Sequence, residues 1–413
     1  MARLRSVFGV EVPITWLFEA PTIARLSQRV EGLLRGVQGS EMPALVPVER
    51  TPEQDLLLSF AQQRLWFLDQ LEPGTATYII PSAVRLRGQM DRMALAAVLD
   101  QVIRRHENLR TTFPSQQGRP VQQIAAEPTT GLVILDLRHL GAEVREREAR
   151  RLAQQEVEAP FDLGRGPPLR ARLLRLGEQD QVLLLSMHHI ISDGWSSGVL
   201  IRELSQLYLG RVQGEAVTLP ALPIQYVDYA LWQRNWLQGA VLQEQLDYWK
   251  RSLEGIVPLE LPTDHPRPVM QSARGARQRL RLSRELGQQV RALSQQVGVT
   301  PFMTLLAVFE VLLARYSGQH DIAVGTPIAN RTREEVEGLI GFFVNTLVLR
   351  TDLSGNPTFL ELLNRVRTVA LGAYSHQDLP FEHVVDTVQP QRDLSRSPLF
   401  QVFFALQNTP EVS

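Results

Sequence analysis

The run Met187-His188-His189-Ile190-Ile191-Ser192-Asp193-Gly194-Trp195-Ser196 holds the densest group of reactive side chains in the chain. Imidazole changes charge near neutral pH, so two adjacent histidines can serve proton transfer. They stand where the apolar run Val182-Leu183-Leu184-Leu185 ends and just before a stripe of Leu200, Leu204 and Leu207 at helical spacing. A strand must deliver the histidines and a helix must follow them. Ser196 or Ser197 is placed to cap that helix, and Gly194 gives a tight strand-to-helix turn its freedom. A second reading competes: a histidine at a strand end can simply be a hydrogen-bonded structural residue, and spacing does not separate the two. Other chemistries fit less well. The His pair lacks a carboxylate at helical ligand spacing, and Asp193 on a turn would make awkward metal geometry with His189. A serine triad is set aside because no Gly-x-Ser-x-Gly elbow is read in the chain. The chain has no cysteine, which excludes a thiolate zinc site, a disulfide framework and a cysteine nucleophile.

With 413 residues the chain is long enough for two or three domains at about 150 residues each. A composition of 44% hydrophobic and 21% charged residues is that of a globular protein with a sizeable core. Lys plus Arg number 43 against 44 for Asp plus Glu, so no field of one sign draws nucleic acid or an anionic membrane. The most apolar stretch, Phe302 to Ala314, is interrupted by Glu310 and is shorter than the roughly 20 residues a membrane span needs. The first five residues precede no apolar signal core. The expectation is a soluble, cytoplasmic protein with no nucleic-acid or membrane partner.

Residues 1–38 read as a short helical piece, with an amphipathic run around Leu4, Val7 and Phe8 and a second helix carrying Ile23, Leu26, Val30 and Leu33. Residues 39–55 have the Gly, Ser and Pro content of a linker. Beyond them helical and strand patterns alternate. Leu95 to Arg105 and Leu305 to Leu313 are helical in period, while Gly341 to Leu349 and Pro398 to Gln407 read as strands. The Pro-bearing segment Leu219 to Pro223 interrupts the pattern near the middle. This predicts an α/β protein with two lobes of similar size, 56–225 and 226–413.

The run from His188 to Gly194 resembles the HHxxxDG signature of nonribosomal peptide synthetase condensation domains. Six further blocks resemble that family in its own order. Ser59-Phe60-Ala61-Gln62-Gln63-Arg64-Leu65-Trp66-Phe67-Leu68 is similar to SxAQxRLWxL, and Arg105-His106-Glu107-Asn108-Leu109-Arg110-Thr111-Thr112-Phe113 to RHExLRTxF. Tyr226 to Gln233 follows the signature loop as the family's fourth block does. Gly341-Phe342-Phe343-Val344-Asn345-Thr346 is similar to GxFVNT, His376 to Glu382 to HQDxPFE, and Arg392 to Leu399 to RDxSRNPL with Ser397 in place of Asn. Residues 6–34 resemble the carboxy-terminal part of a peptidyl carrier domain. Its Gly-Gly-His-Ser segment is absent, so neither Ser6 nor Ser27 is a phosphopantetheine site.

The resemblance implies two chloramphenicol-acetyltransferase-like lobes in a V, with a tunnel between them. Donor and acceptor carrier domains reach that tunnel with 4'-phosphopantetheine arms, an adenylation domain lies next in the assembly line, and no cofactor is bound intrinsically. The acceptor amine attacks the donor thioester. By the same resemblance His189 is the base or orienting group, His188 supports the loop, and Gly194 offers its N–H to the oxyanion. Asp193 is structural and pairs with Arg105, Asn345 stands in the lobe contact beside the site, and Asp228 and His376 support the fold. The loop and opening block are similar to the subtype that takes an L-configured donor. Intact FVNT and HQDxPFE blocks argue against an epimerization domain. A missing DFGWG-type block argues against a plant-type CoA-dependent acyltransferase, and the two histidines exclude a heterocyclization domain. A non-catalytic docking module of this fold would be expected to lose His189. Because the family continues beyond its seventh block, the chain ending at Ser413 reads as a segment of a longer assembly line, with an open edge in its second lobe.

Overall fold

The structure is a computed structural model that describes residues 2–35, 42–51, 55–128, 131–269, 275–388 and 395–407. They form two compact units. The first is Met42–Trp236 together with Glu334–Phe343; the second is Leu237–Arg333 with residues 344–407 and 2–35.

In the first unit four strands lie in the spatial order Ile79–Arg87, Asp180–His188, Leu169–Arg175, Leu132–Asp136. The first three run antiparallel and the last pair parallel. Asp180–His188 is paired on both sides, and both of its faces are covered, which is why its sequence does not alternate. On one face Leu183 and Leu185 pack with Leu95, Leu99 and Val102 of helix Arg92–Arg105 and with Leu200 and Leu204 of helix Gly194–Gln213. On the other, Leu184 and Leu174 pack with Ala149 and Leu152 of helix Ala142–Glu158. Each fully buried leucine contributes about 1.5–3 kcal/mol. The register sets Ile79 opposite His188 and Leu169 opposite Met187, so the strand is held on both sides at the point where the loop begins.

The second unit surrounds the antiparallel pair Asp321–Ile328 and Asn345–Asp352 with helices including Gly239–Leu253, Pro301–Ser317 and Phe359–Ser375. Thr300 caps helix Pro301–Ser317 through Met303 N–H, and Gly318 closes it at a φ of 71° that favours glycine. The amino-terminal helices Ala2–Phe8 and Ile23–Arg35 belong to this unit. Between them, in the short helix Trp16–Glu19, Phe18 is held by Arg367, which donates to its carbonyl at 3.3 Å and sets its guanidinium over the ring.

Most expected elements are present, and three differ. Helix Tyr226–Trp236 stays with the first unit, past the expected boundary at 225. Its Asp228 accepts from Val48 N–H at 2.9 Å and from Arg50 at 3.1 Å, which fastens it there. Pro398 to Gln407 is not a strand. Its backbone meets Gly325 in a single parallel bridge, beside which the Phe400 ring stacks where a Cβ on Gly325 would sit at 2.5 Å. The strand expected from Gly341 starts only at Asn345, because residues 341–343 are engaged elsewhere. Arg392, Asp393 and Leu394 of the seventh block lie outside the described residues. Among those described, no helix is long and apolar enough to cross a membrane; Arg284–Val297 and Pro301–Ser317 pass only as a pair bent by 106°.

Glu310, which interrupts the most apolar helix, is fully buried against strand Asn345–Asp352. Thr351 donates to its Oε1 at 3.0 Å and its Oε2 has no partner. Burial pushes the carboxyl up to about 8, against a lowering by the Thr351 hydrogen bond. Between 4.5 and that value the folded chain keeps a proton that the unfolded chain releases, so stability is full at low pH and falls as pH rises through this window. Glu310→Gln should flatten that decline, whose slope is at most about 1.4 kcal/mol per pH unit. Urea unfolding across pH checks it: identical pH slopes for the variant and the parent would contradict the assignment.

Candidate active site

Strand Asp180–His188 ends in a short 3-10 turn, His189–Ile191, and helix Gly194–Gln213 starts three residues later. His188 is buried, and its Nδ1 accepts from Ile190 N–H at 3.1 Å. Phe161 meets its ring edge-on, with centroids 6.1 Å apart. Burial, with a smaller push from His189, lowers the imidazole to about 4, so it is neutral at physiological pH and ties the turn to the strand. His189 is half-buried. Its Nδ1 lies 2.9 Å from the Ser192 carbonyl, which can only accept, so Nδ1 carries the proton and Nε2 keeps its lone pair. Burial also lowers His189 below the ordinary imidazole value, against the raising effect of that hydrogen bond. Phe342 abuts the ring at 5.1 Å between centroids.

Asp193, fully buried, is the cap of the helix, a task the sequence reading gave to Ser196 or Ser197. Its Oδ1 accepts from Ser196 N–H at 2.8 Å and its Oδ2 from Phe343 N–H at 3.0 Å. Ser196 Oγ accepts from Gly341 N–H at 3.0 Å and lies 2.8 Å from both Asp193 Oδ1 and the Gly341 carbonyl. Trp195 donates to the Glu337 carbonyl at 2.9 Å, and Tyr226 to the Phe342 carbonyl at 2.5 Å. Segment Glu334–Phe343, distant in sequence, is thus stitched along the loop. Gly341 is required there, since a Cβ would collide with the Tyr226 ring. Contrary to the expectation that the chain has no Gly-x-Ser-x-Gly, Gly194-Trp195-Ser196-Ser197-Gly198 has that spacing. Ser196 is nevertheless buried in helix with its hydroxyl engaged, so it is no nucleophile.

The expected Asp193–Arg105 pair does not form. Arg105 donates to Glu203 at 3.2 Å and to the Pro220 carbonyl at 2.5 Å. Glu203 lies ten residues along the helix from Asp193, about 15 Å at 1.5 Å per residue, so one guanidinium cannot serve both. Gly194 occupies the first helical position, where its N–H has no intrahelical acceptor. A Cβ built on it meets nothing within 4 Å and its φ lies outside the left-handed region, so the backbone itself does not demand glycine. Asn345 lies in the second unit. There its Nδ2 donates to the Gln377 and Leu379 carbonyls at 2.9 and 2.8 Å, and its Oδ1 accepts from Phe381 N–H. His376 stacks flat on Tyr248 at 3.8 Å and bonds to the Gly372 carbonyl through Nδ1. His188, His189, Asp193 and Gly194 therefore share one loop, while Arg105 and Asn345 are engaged elsewhere. Two residues that sequence reasoning did not single out, Gln62 and Asn108, bond the loop's carbonyls from beneath; both lie inside the blocks quoted above. Among the described residues no group of three or more His, Asp or Glu could hold a metal ion.

A neutral imidazole aimed from a strand–helix junction with its Nε2 open is an arrangement suited to acyl transfer. Residues 52–412 match the family model described as the condensation domain, and the chain belongs to that family. It is 54% identical over 408 residues to a linear gramicidin synthase of Brevibacillus parabrevis, a match covering 98% of this chain and 8% of that protein. It is 41% identical to phosphinothricin tripeptide synthetase PhsB of Streptomyces viridochromogenes, over 99% of this chain and 34% of that protein. The chain therefore spans a small part of the length of such relatives. Among solved structures, the X-domain in complex with OxyB from teicoplanin biosynthesis superposes with a TM-score of 0.77 at 32% identity, covering 88% of this chain and 79% of that one. A four-domain nonribosomal peptide synthetase bound to AMP and glycine gives 0.75 at 26% identity, over 90% of this chain and 28% of that one. These likenesses bear out the mixed α/β fold of the condensation family.

Asp193→Ala removes the helix cap, worth about 0.5–2 kcal/mol. It also leaves the Phe343 N–H without its acceptor, at about 1–3 kcal/mol. Chemical unfolding should show a loss of about 1.5–5 kcal/mol in total. Asp193→Asn, which keeps one acceptor oxygen, should lose less. An Asp193→Ala chain as stable as the parent but inactive would make Asp193 a chemical participant instead.

Proposed function

We propose that this chain forms peptide bonds in nonribosomal peptide synthesis. The amine of an aminoacyl thioester on an acceptor carrier domain attacks an acyl or peptidyl thioester on a donor carrier domain. Both partners arrive on 4'-phosphopantetheine arms, and an adjacent adenylation domain supplies the activated amino acid. The observation that carries this reading is the Nδ1–H of His189 held on Ser192 O, which leaves Nε2 as a proton acceptor.

The energetics suit a weak base. An α-amine has an ordinary pKa of about 7.7–8.0, so a useful fraction is neutral at pH 7, and a thioester is already activated. Holding the two ends together can supply effective molarities of ~10⁵ M or more. As the C–N bond forms, the amine nitrogen becomes an ammonium in the tetrahedral adduct. Imidazole, at about 6.5 unperturbed, cannot deprotonate a neutral amine but can take that proton. Collapse of the adduct breaks the C–S bond, and the proton passes from His189 to the departing thiolate. Gly194 N–H is assigned to the oxyanion, and the open space at its Cα leaves room for the thioester. His188 stays neutral, and Asp193 supports the loop. Residues 2–35 are assigned to the end of a carrier domain. This is supported by relatives that align over 98% of this chain although the family match starts at residue 52. A chain without cysteine gains nothing from an oxidising compartment, which supports a cytoplasmic site.

A second reading follows from the likeness to an X-domain solved in complex with OxyB. On it the chain would recruit a partner and make no bond.

The two separate in a reconstitution with loaded donor and acceptor carriers, followed by mass spectrometry. Dipeptide should form, and more readily from the L-terminated donor than from its D counterpart. His189→Ala should lower the rate by about 10²–10⁴-fold with the fold retained. Because burial lowers His189, the neutral, active form should persist in acid, and the acid limb of the rate should fall below the ordinary value of about 6.5. A rate within about threefold of wild type in His189→Ala would mean that positioning alone suffices and proton transfer is dispensable. No dipeptide from the wild type would favour the recruitment reading.

A further inference from the structure

The His189 ring is steered by one carbonyl and one phenyl ring, and both trace back to a single buried side chain. Asn108 is 2% exposed and sits in the turn Glu107–Arg110 that follows helix Arg92–Arg105. Its Nδ2 donates to the Ile191 carbonyl at 2.9 Å and to the Ile340 carbonyl at 3.3 Å. Beside it Gln62, also buried, donates to the Ile190 carbonyl at 3.2 Å and lies 3.5 Å from Asn108 Oδ1. From this juxtaposition we infer that Asn108 is a positioning residue for the His189 imidazole, an inference that rests on the peptide-bond reading above.

The Ser192 carbonyl accepts the His189 Nδ1 proton, so the angle of that carbonyl sets the angle of the ring. On its amino side the Ile191–Ser192 peptide is fixed by Asn108. On its carboxy side Asp193 is fixed by Ser196 N–H and Phe343 N–H. A carbonyl held on both sides cannot swing. The second proton of Asn108 Nδ2 goes to Ile340, two residues before the Phe342 whose ring abuts His189. One nitrogen with two N–H groups is needed to reach both carbonyls. A carboxylate has none and would set its oxygens against both. Asp193, Ser196 and Trp195 join the loop to segment Glu334–Phe343 further along, but without this amide the Ile191 and Ile340 carbonyls lose their common anchor, and a displacement near 1 Å can cost about 10²-fold in rate.

The test uses the whole chain with loaded donor and acceptor carriers, and two variants. Asn108→Asp keeps the shape and removes the donors, and Asn108→Ala leaves a space that water can enter. In each, kcat should fall about 10- to 100-fold while KM for both carriers stays within about twofold. In a His189→Ala background the same substitutions should change the residual rate by less than about twofold, because residues acting as one unit are not additive. An equal fall in both backgrounds would overturn the inference and reduce Asn108 to a support of the fold, as would folded variants with unchanged kcat. If neither variant folds, Asn108→Ser, which keeps one donor, undergoes the same cycle under the same two criteria. If wild type makes no dipeptide, the peptide-bond reading falls and nitrogen NMR of His189 replaces rate as the readout. A single Nδ1–H tautomer that becomes a mixture in Asn108→Asp upholds the inference, and an unchanged tautomer overturns it.

Discussion

A single buried carboxylate, Asp193, joins three things that the sequence separates. It caps helix Gly194–Gln213 directly after the turn that carries His189, it bonds the Ser196 hydroxyl, and it accepts the Phe343 N–H of a segment 150 residues further on. In a low-dielectric interior each of these bonds is strengthened by the charge on the acceptor. Its removal would take this acceptor from the Ser196 and Phe343 N–H groups. Ser196 repeats the arrangement one turn later, bonding Asp193 and both the N–H and the carbonyl of Gly341. The loop is therefore clamped between its own helix and segment Glu334–Phe343, and its histidines inherit that rigidity.

The two imidazoles do different work because their surroundings differ. His188 spends Nδ1 on a backbone N–H and its faces on Tyr78 and Phe161, and burial takes its titration down to about 4. His189 turns the same nitrogen, Nδ1, to a carbonyl, as donor rather than acceptor, and is left half-buried with Nε2 available. A reaction between a neutral amine and a thioester needs a modest, well-aimed acceptor more than a strong base. The structure puts its effort into aim: the Ser192 carbonyl, the Phe342 ring and the amides of Gln62 and Asn108 all bear on one ring.

Much of this was legible in the sequence, and what was not has physical causes. The strand carrying His188 was plain from its unbroken apolar run, and the helix after it from Leu200, Leu204 and Leu207. The chemistry-bearing loop was found because reactive residues cluster there. Its cap was misassigned because Asp, Ser196 and Ser197 are all good caps, and only the turn's geometry chooses Asp193. The Asp193–Arg105 pair that the resemblance implies does not form because Arg105 is held by Glu203 and the Pro220 carbonyl, a contact that sequence alone does not show. Residues 341–343 have the composition of a strand, but their backbone groups are claimed by Asp193, Ser196 and Tyr226, so pairing begins only at Asn345. Asn108 gives no signal of its own: a lone polar residue after Glu107 looks exposed until the fold buries it under the loop.

The most direct test of this account is the protonation state of His189 itself. Long-range proton–nitrogen NMR on histidine-labelled wild-type chain at neutral pH reads it without substrate. The account predicts a single neutral tautomer with the proton on Nδ1 and a bare Nε2, persisting to a pH below the ordinary imidazole value of about 6.5. A protonated imidazolium at neutral pH, or a proton on Nε2 with Nδ1 bare, would contradict it.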